Sequence, residues 1–128
     1  MTFTVYGRPQ PQGSMKSYGR GFGMVSDNPK LDPWRKTVAI EAKIVMRRQG
    51  IAFATGAVAL SLVFYFKRPK SAPNHKRVTV KPDLDKLCRA IGDALSKICY
   101  NDDAQIVELR ARKFYSDDER CEITVSEI

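Results

Sequence analysis

Hydrophobic and polar positions alternate with a period of two near the start of the chain. Phe3 and Val5 share one face of residues 2–7, which predicts a short strand. Residues 7–31 break the pattern with five of the eight glycines, three prolines and scattered serines, so a long loop is expected there. Asp32-Pro33 then opens a helix, with Asp as cap and Pro at the first helical position. Trp34, Val38, Ala42 and Val45 recur at helical spacing, and Gly50 is placed to end the helix. Residues 57–66 read as a strand apolar on both faces, which predicts a central position in a sheet. Pro82-Asp83 starts a second helix, whose stripe of Leu84, Leu87, Cys88, Ile91, Leu95 and Ile98 extends it to about 97–99.

Two alternating segments follow. Val107, Leu109 and Ala111 alternate with Glu108, Arg110 and Arg112; Cys121, Ile123 and Val125 alternate with Glu122, Thr124 and Ser126. Each predicts a strand with one wet face. The turn at 116–119 suggests that they close the chain as a hairpin, its charged faces pairing across the ladder. The order β-α-β-α-β-β predicts an α/β (α+β) fold, with a mixed, roughly four-stranded sheet and two main helices. A length of 128 residues predicts a single domain over 1–128.

Charge sharpens this outline. The formal net charge is +8, and it is unevenly spread. Residues 1–82 hold 15 Lys/Arg against three acids, whereas residues 83–128 hold seven against 11 acids. A cationic body points to nucleic acid as the partner, ahead of an anionic membrane surface. No apolar run is long enough to span a bilayer, and no signal peptide is visible, so a cytoplasmic protein without membrane partners is expected. Cys88, Cys99 and Cys121 lack metal or redox spacing and read as buried free thiols. No phosphate-binding glycine loop or Rossmann pattern occurs, so no nucleotide cofactor is expected.

The acids that break the basic trend are concentrated. Asp83, Asp85, Asp93, Asp102 and Asp103 fall within 21 residues. Asp85 and Arg89 are spaced i, i+4 on one flank of the second helix, and Gly92 leaves a notch beside them. Carboxylate pairs next to cations are what a metal-dependent enzyme acting on a polyanion needs, and oxygen-only donors suit Mg²⁺, with Mn²⁺ as a substitute. Capping and dipole compensation also favour acids at a helix start, and Asp102-Asp103 also suits an ordinary turn. A helix of about 15 residues is roughly 22 Å long. Asp103 therefore meets Asp83 and Asp85 only if the following strand runs back along the helix, or if a dimer partner supplies the loop. The basic segment 67–82 offers Lys67, Arg68, Lys70, Lys76, Arg77 and Lys81 as phosphate contacts, with Lys16 and Arg20 added from the glycine-rich loop. His75 is the chain's one histidine and reads as a solvent or phosphate contact, not a general base.

The run KPDLDKLCRAIGDALSKICYNDDAQIVELRARKF resembles the signature region of the RusA family of Holliday junction resolvases. The spaced DxD, the GDAL string and DDAQI form a far more specific combination than a lone DxD. The resemblance implies a Mg²⁺-dependent, homodimeric endodeoxyribonuclease acting on branched DNA, the four-way junction. It assigns Asp83, Asp85 and Asp103 as a metal-binding, catalytic triad, with Asp93 and Asp102 in supporting positions. It also implies a lysine one turn after the DxD and an asparagine directly after it. This chain has Arg89 and Lys86 there. Arg89 is then the cation that steadies the phosphate, without proton transfer, and Lys86 an additional DNA contact. Two other readings stay open on the residues alone: a nuclease-inactive DNA-binding module of the same fold, and a phosphohydrolase of small phosphate esters.

Overall fold

The computed structural model describes residues 1–13, 15–17, 24–26 and 28–128, with backbone only at 15–17 and 24–26. Its elements in chain order are β1 (Thr2–Tyr6), β2 (Met15–Ser17), β3 (Met24–Ser26), α1 (Leu31–Gln49), β4 (Val58–Lys67), α2 (Leu84–Leu95), a 3₁₀ turn (Asp103–Gln105), β5 (Ile106–Ser116) and β6 (Arg120–Glu127). The expected mixed four-stranded sheet and its two helices are present. Within the expected glycine-rich loop, β2 and β3 pair antiparallel as a small separate sheet.

The main sheet runs β1-β6-β4-β5. β4 is central, as its two apolar faces predict. It pairs antiparallel with β6 on one side and parallel with β5 on the other. The expected β5–β6 hairpin is therefore not formed, because β4 lies between the two strands. The short connection crosses over the end of β4 and is pinned there. The Lys67 ammonium donates to the Asp117 carbonyl at 3.0 Å, and the Arg68 amide to the Ser116 carbonyl at 2.9 Å. Pairing with a ten-residue apolar strand buries far more surface than a charged hairpin, and that gain decides the topology.

One layer of helices covers one sheet face. α1 buries Leu31, Trp34, Val38 and Ala42; α2 buries Leu87, Cys88, Ile91 and Leu95. Both stripes meet Leu60, Leu62, Phe64 and Ile123 in one core. α1 starts at Leu31, one residue before the Asp-Pro signal, with Asp32 paired to Arg35 in its first turn. It ends as predicted at Gly50, whose φ of 64° is the left-handed cap geometry that glycine adopts at no cost. α2 stops at Leu95, earlier than the apolar stripe suggests. Ser96 is extended and Lys97 has φ 69°, so Ile98 and Cys99 join the core from a turn, not from a helix. All three cysteines are buried and free, as expected. No described helix is long and apolar enough to cross a membrane.

Candidate nuclease site

Pro82, joined to Lys81 by a cis peptide bond, delivers the chain to the N-terminus of α2. Asp83 occupies the cap position, with extended backbone, but its side chain makes no capping hydrogen bond. Its carboxylate instead faces Lys86, at 3.4 Å and partly exposed. Asp85 and Arg89 follow on the exposed flank of the helix, one turn apart.

β5 then meets the condition set by helix length. α2 has 12 residues, about 18 Å. β5 begins at Ile106, directly after the 3₁₀ turn that Asp103 opens, beyond the C-terminal end of α2. It runs back to the N-terminal end, where the Lys113 ammonium donates to the carbonyls of Val80 and Pro82, both at 2.8 Å. Asp103 thereby lines the same cleft as Asp85. The two carboxylates, Arg89, Cys88, Gly92 and residues 106–109 line a cleft of about 380 Å³ over Leu60. A Cβ at Gly92 would touch Ile106 Cδ1 at 3.8 Å, so glycine keeps that wall thin. Asp83 does not line this cleft. Among the described residues, no three acidic, histidine or cysteine side chains stand close enough together to hold a metal ion. Of the aspartates singled out in the sequence, Asp85 and Asp103 line the cleft, and Glu108 of β5 is a further carboxylate residue on its wall. Asp85 and Asp103 fit Mg²⁺, which takes one or two protein carboxylates and fills its octahedron with water and phosphate oxygens.

The second acid pair is anchored by an Asp102 capping box. Asp102 accepts from the Ala104 amide at 2.9 Å, and Gln105 accepts from the Asn101 and Asp102 amides. The Ala104 amide, and then Asp103, hold the Asp102 carboxyl below its usual range. The Asp103 carboxyl is pushed above that range, first by its hydrogen bond with Asp102, then by burial and by Asp93. Like charges are therefore held together beside an open cleft, an arrangement that a cation relieves.

Asp93 is held from the other side. The buried Gln12 donates its amide group to Asp93, and the Arg35 guanidinium lies 3.9 Å away. Arg35 also donates to Gln12 Oε1 at 3.0 Å, and the Gln12 amide donates to the Lys86 carbonyl at 3.0 Å. The segment before β2 is thus stitched to α2 directly behind the site. Tyr100, fully buried, donates its hydroxyl to the Gly92 carbonyl at 2.7 Å and fixes the turn that leads to Asp102. Neither Gln12, Lys113 nor Tyr100 stood out in the sequence, because the partners of each are set by tertiary packing.

The expected phosphate contacts fall into groups. Lys67 and Arg68 are tied to Asp117, with Arg68 Nε at 2.7 Å from its carboxylate. Arg77 lies over the Phe114 ring. Lys70, Lys76 and Lys81 are exposed and have no ion pair among the described residues. Lys16 sits on β2, and Arg20 lies outside the described residues. His75 has φ 64° and packs edge-on to Tyr65.

The sequence model of the family described as "Endodeoxyribonuclease RusA" matches residues 6–126, nearly the whole chain. The chain belongs to the RusA family. The signature resemblance is thereby supported across the whole fold. A Bacillus subtilis (strain 168) relative, "Uncharacterized protein YqaN", is 33% identical over 98% of this chain and 95% of its own length. "Crossover junction endodeoxyribonuclease rusA" of Lactococcus phage r1t is 34% identical over 70 residues, about half of each chain. In this RusA-family member, Arg89 stands on the cleft wall between Asp85 and Gly92, so the arginine that replaces the expected lysine still reaches the site.

Proposed function

We propose that this protein is a Mg²⁺-dependent, structure-selective endonuclease that resolves four-way DNA junctions in recombination and repair, acting as a homodimer in the bacterial cytoplasm or from a prophage. The observation that carries the reading is the cleft lined by Asp85, Asp103 and Arg89 inside a RusA-family fold.

Asp85 and Asp103 would hold the ion; Asp83, the third acid that the family resemblance assigns, lies outside the cleft and faces Lys86. When bound, Mg²⁺ supplies Lewis-acid polarisation of the phosphodiester and a water acidic enough to attack it; Mn²⁺ would serve in its place. Arg89 is a permanently charged fork that binds phosphate oxygens and orients the scissile group, but it cannot exchange a proton. Lys86 neutralises Asp83 until DNA arrives and is then free to contact the backbone. Lys70, Lys76 and Lys81 extend the cationic track toward the N-terminus of α2. Lys67, Arg68 and Arg77 shape the base of that track, with Lys16 and Arg20 as further contacts.

A nuclease-inactive junction-binding module is the second reading. The absence of a three-acid cluster among the described residues, together with Arg89, favours it. The variant Asp83→Asn/Asp85→Asn separates the two. The nuclease reading expects wild-type cleavage of a synthetic junction in Mg²⁺, lost at least about 10²-fold in the variant while the gel shift persists. Binding by the wild type with no cleavage in Mg²⁺ or Mn²⁺ supports the module.

A further inference from the structure

β5 is an edge strand whose outer side is only half covered. Near its end, the His75 amide donates to the Tyr115 carbonyl, the Tyr115 amide to the Lys76 carbonyl, and the Val78 amide to the Lys113 carbonyl. Alternate residues of a strand turn their backbone groups to the same side, so Ala111 and Leu109 also direct theirs outward. No backbone partner meets them among the described residues. On this open stretch, residues 107–110 are all exposed. Val107 and Leu109, which the sequence pattern places on a dry face, are 59% and 54% exposed. A bare apolar edge strand is a template for pairing with another strand.

The stretch is complementary to itself. Set antiparallel about a two-fold axis at Leu109, Leu109 faces its own copy, with outward amide and carbonyl matched to each other. Val107 faces Ala111, and Glu108 faces Arg110, twice over. Glu108 and Arg110 make no ion pair among the described residues. The geometry points to this edge as the homodimer interface: two copies join through β5 in that register. Val107 and Leu109 line the cleft that holds Asp85 and Asp103, so the partner's Leu109 closes the side that one chain leaves open. This inference rests on the homodimeric reading above and identifies the surface that makes the pair.

Sedimentation velocity of the full chain tests it through the Glu108–Arg110 pairing. The expected wild type is a dimer. Glu108→Arg alone and Arg110→Glu alone each set like charges opposite one another and weaken self-association by about tenfold or more. Mixed together, these two variants form a heterodimer, because every facing pair is again opposite in charge, and Glu108→Arg/Arg110→Glu in one chain pairs like the wild type. A monomeric wild type overturns the proposal, as does a dimer unchanged in both single variants or a mixture that fails to associate. Junction cleavage is scored separately. Cleavage by a protein whose dimer ignores these changes defeats the interface and leaves the nuclease reading standing; a β5 dimer that never cleaves does the reverse.

Discussion

Asp85, Arg89 and Gly92 show how much a residue's position on a helix decides. Their spacing places them on one flank of α2, and the cleft forms there. Asp83 is equally legible as a cap, since Pro-Asp before an apolar stripe marks a helix start. Gln12 was not legible. It is separated from Asp93 by 81 positions, and nothing local distinguishes it from Gln10. Burial makes it consequential: Gln12 is 8% exposed and bonds a carboxylate, a guanidinium and the α2 backbone at once. Gln12→Ala is expected to lower stability by about 1–3 kcal/mol in urea denaturation, because it strips two partly buried charged groups, Asp93 and Arg35, of a partner. A change below about 0.5 kcal/mol would show that water replaces the amide without loss.

At the scale of elements, periodicity identified the four main strands and both main helices but not the partner of β5. Alternation specifies which face of a strand is buried; it carries no information on which strand lies beside it. The turn at 116–119 suits a hairpin and equally suits a bridge across the end of β4, and burial of β4 selects the bridge. Asp117 anchors that bridge. Hydrogen bonds from Arg68 and then Asn74 hold its carboxyl below the usual value of 3.8. A carboxyl depressed in the folded state adds stability above its unfolded pKa and loses it as pH falls through the folded one. Asp117→Asn should therefore lose slightly less stability than the wild type on acidification from about pH 5 to pH 3, read as the urea midpoint against pH. Parallel curves would mean that the Arg68 contact contributes nothing.

For the whole molecule, the uneven charge seen in the sequence becomes a layout. Exposed lysines precede α2, and Asp85 and Asp103 line a cleft along its flank. Lys67 and Arg68 are already engaged with Asp117, so the exposed Lys70, Lys76 and Lys81 should carry most of the backbone contact. Replacing these three with glutamine should weaken junction binding and reduce the slope of log K against log salt by about 0.9 for each lost phosphate contact. An unchanged slope places the DNA elsewhere. The central claim is that a cation-loaded cleft at Asp85 and Asp103 cuts branched DNA. Incubating the wild type with Mg²⁺ on synthetic four-way, three-way and linear duplexes of matched sequence tests it most directly. Paired nicks in the four-way junction, with the linear duplex intact, are predicted. Equal cutting of all three, or binding to the junction without cleavage in either Mg²⁺ or Mn²⁺, would contradict the account.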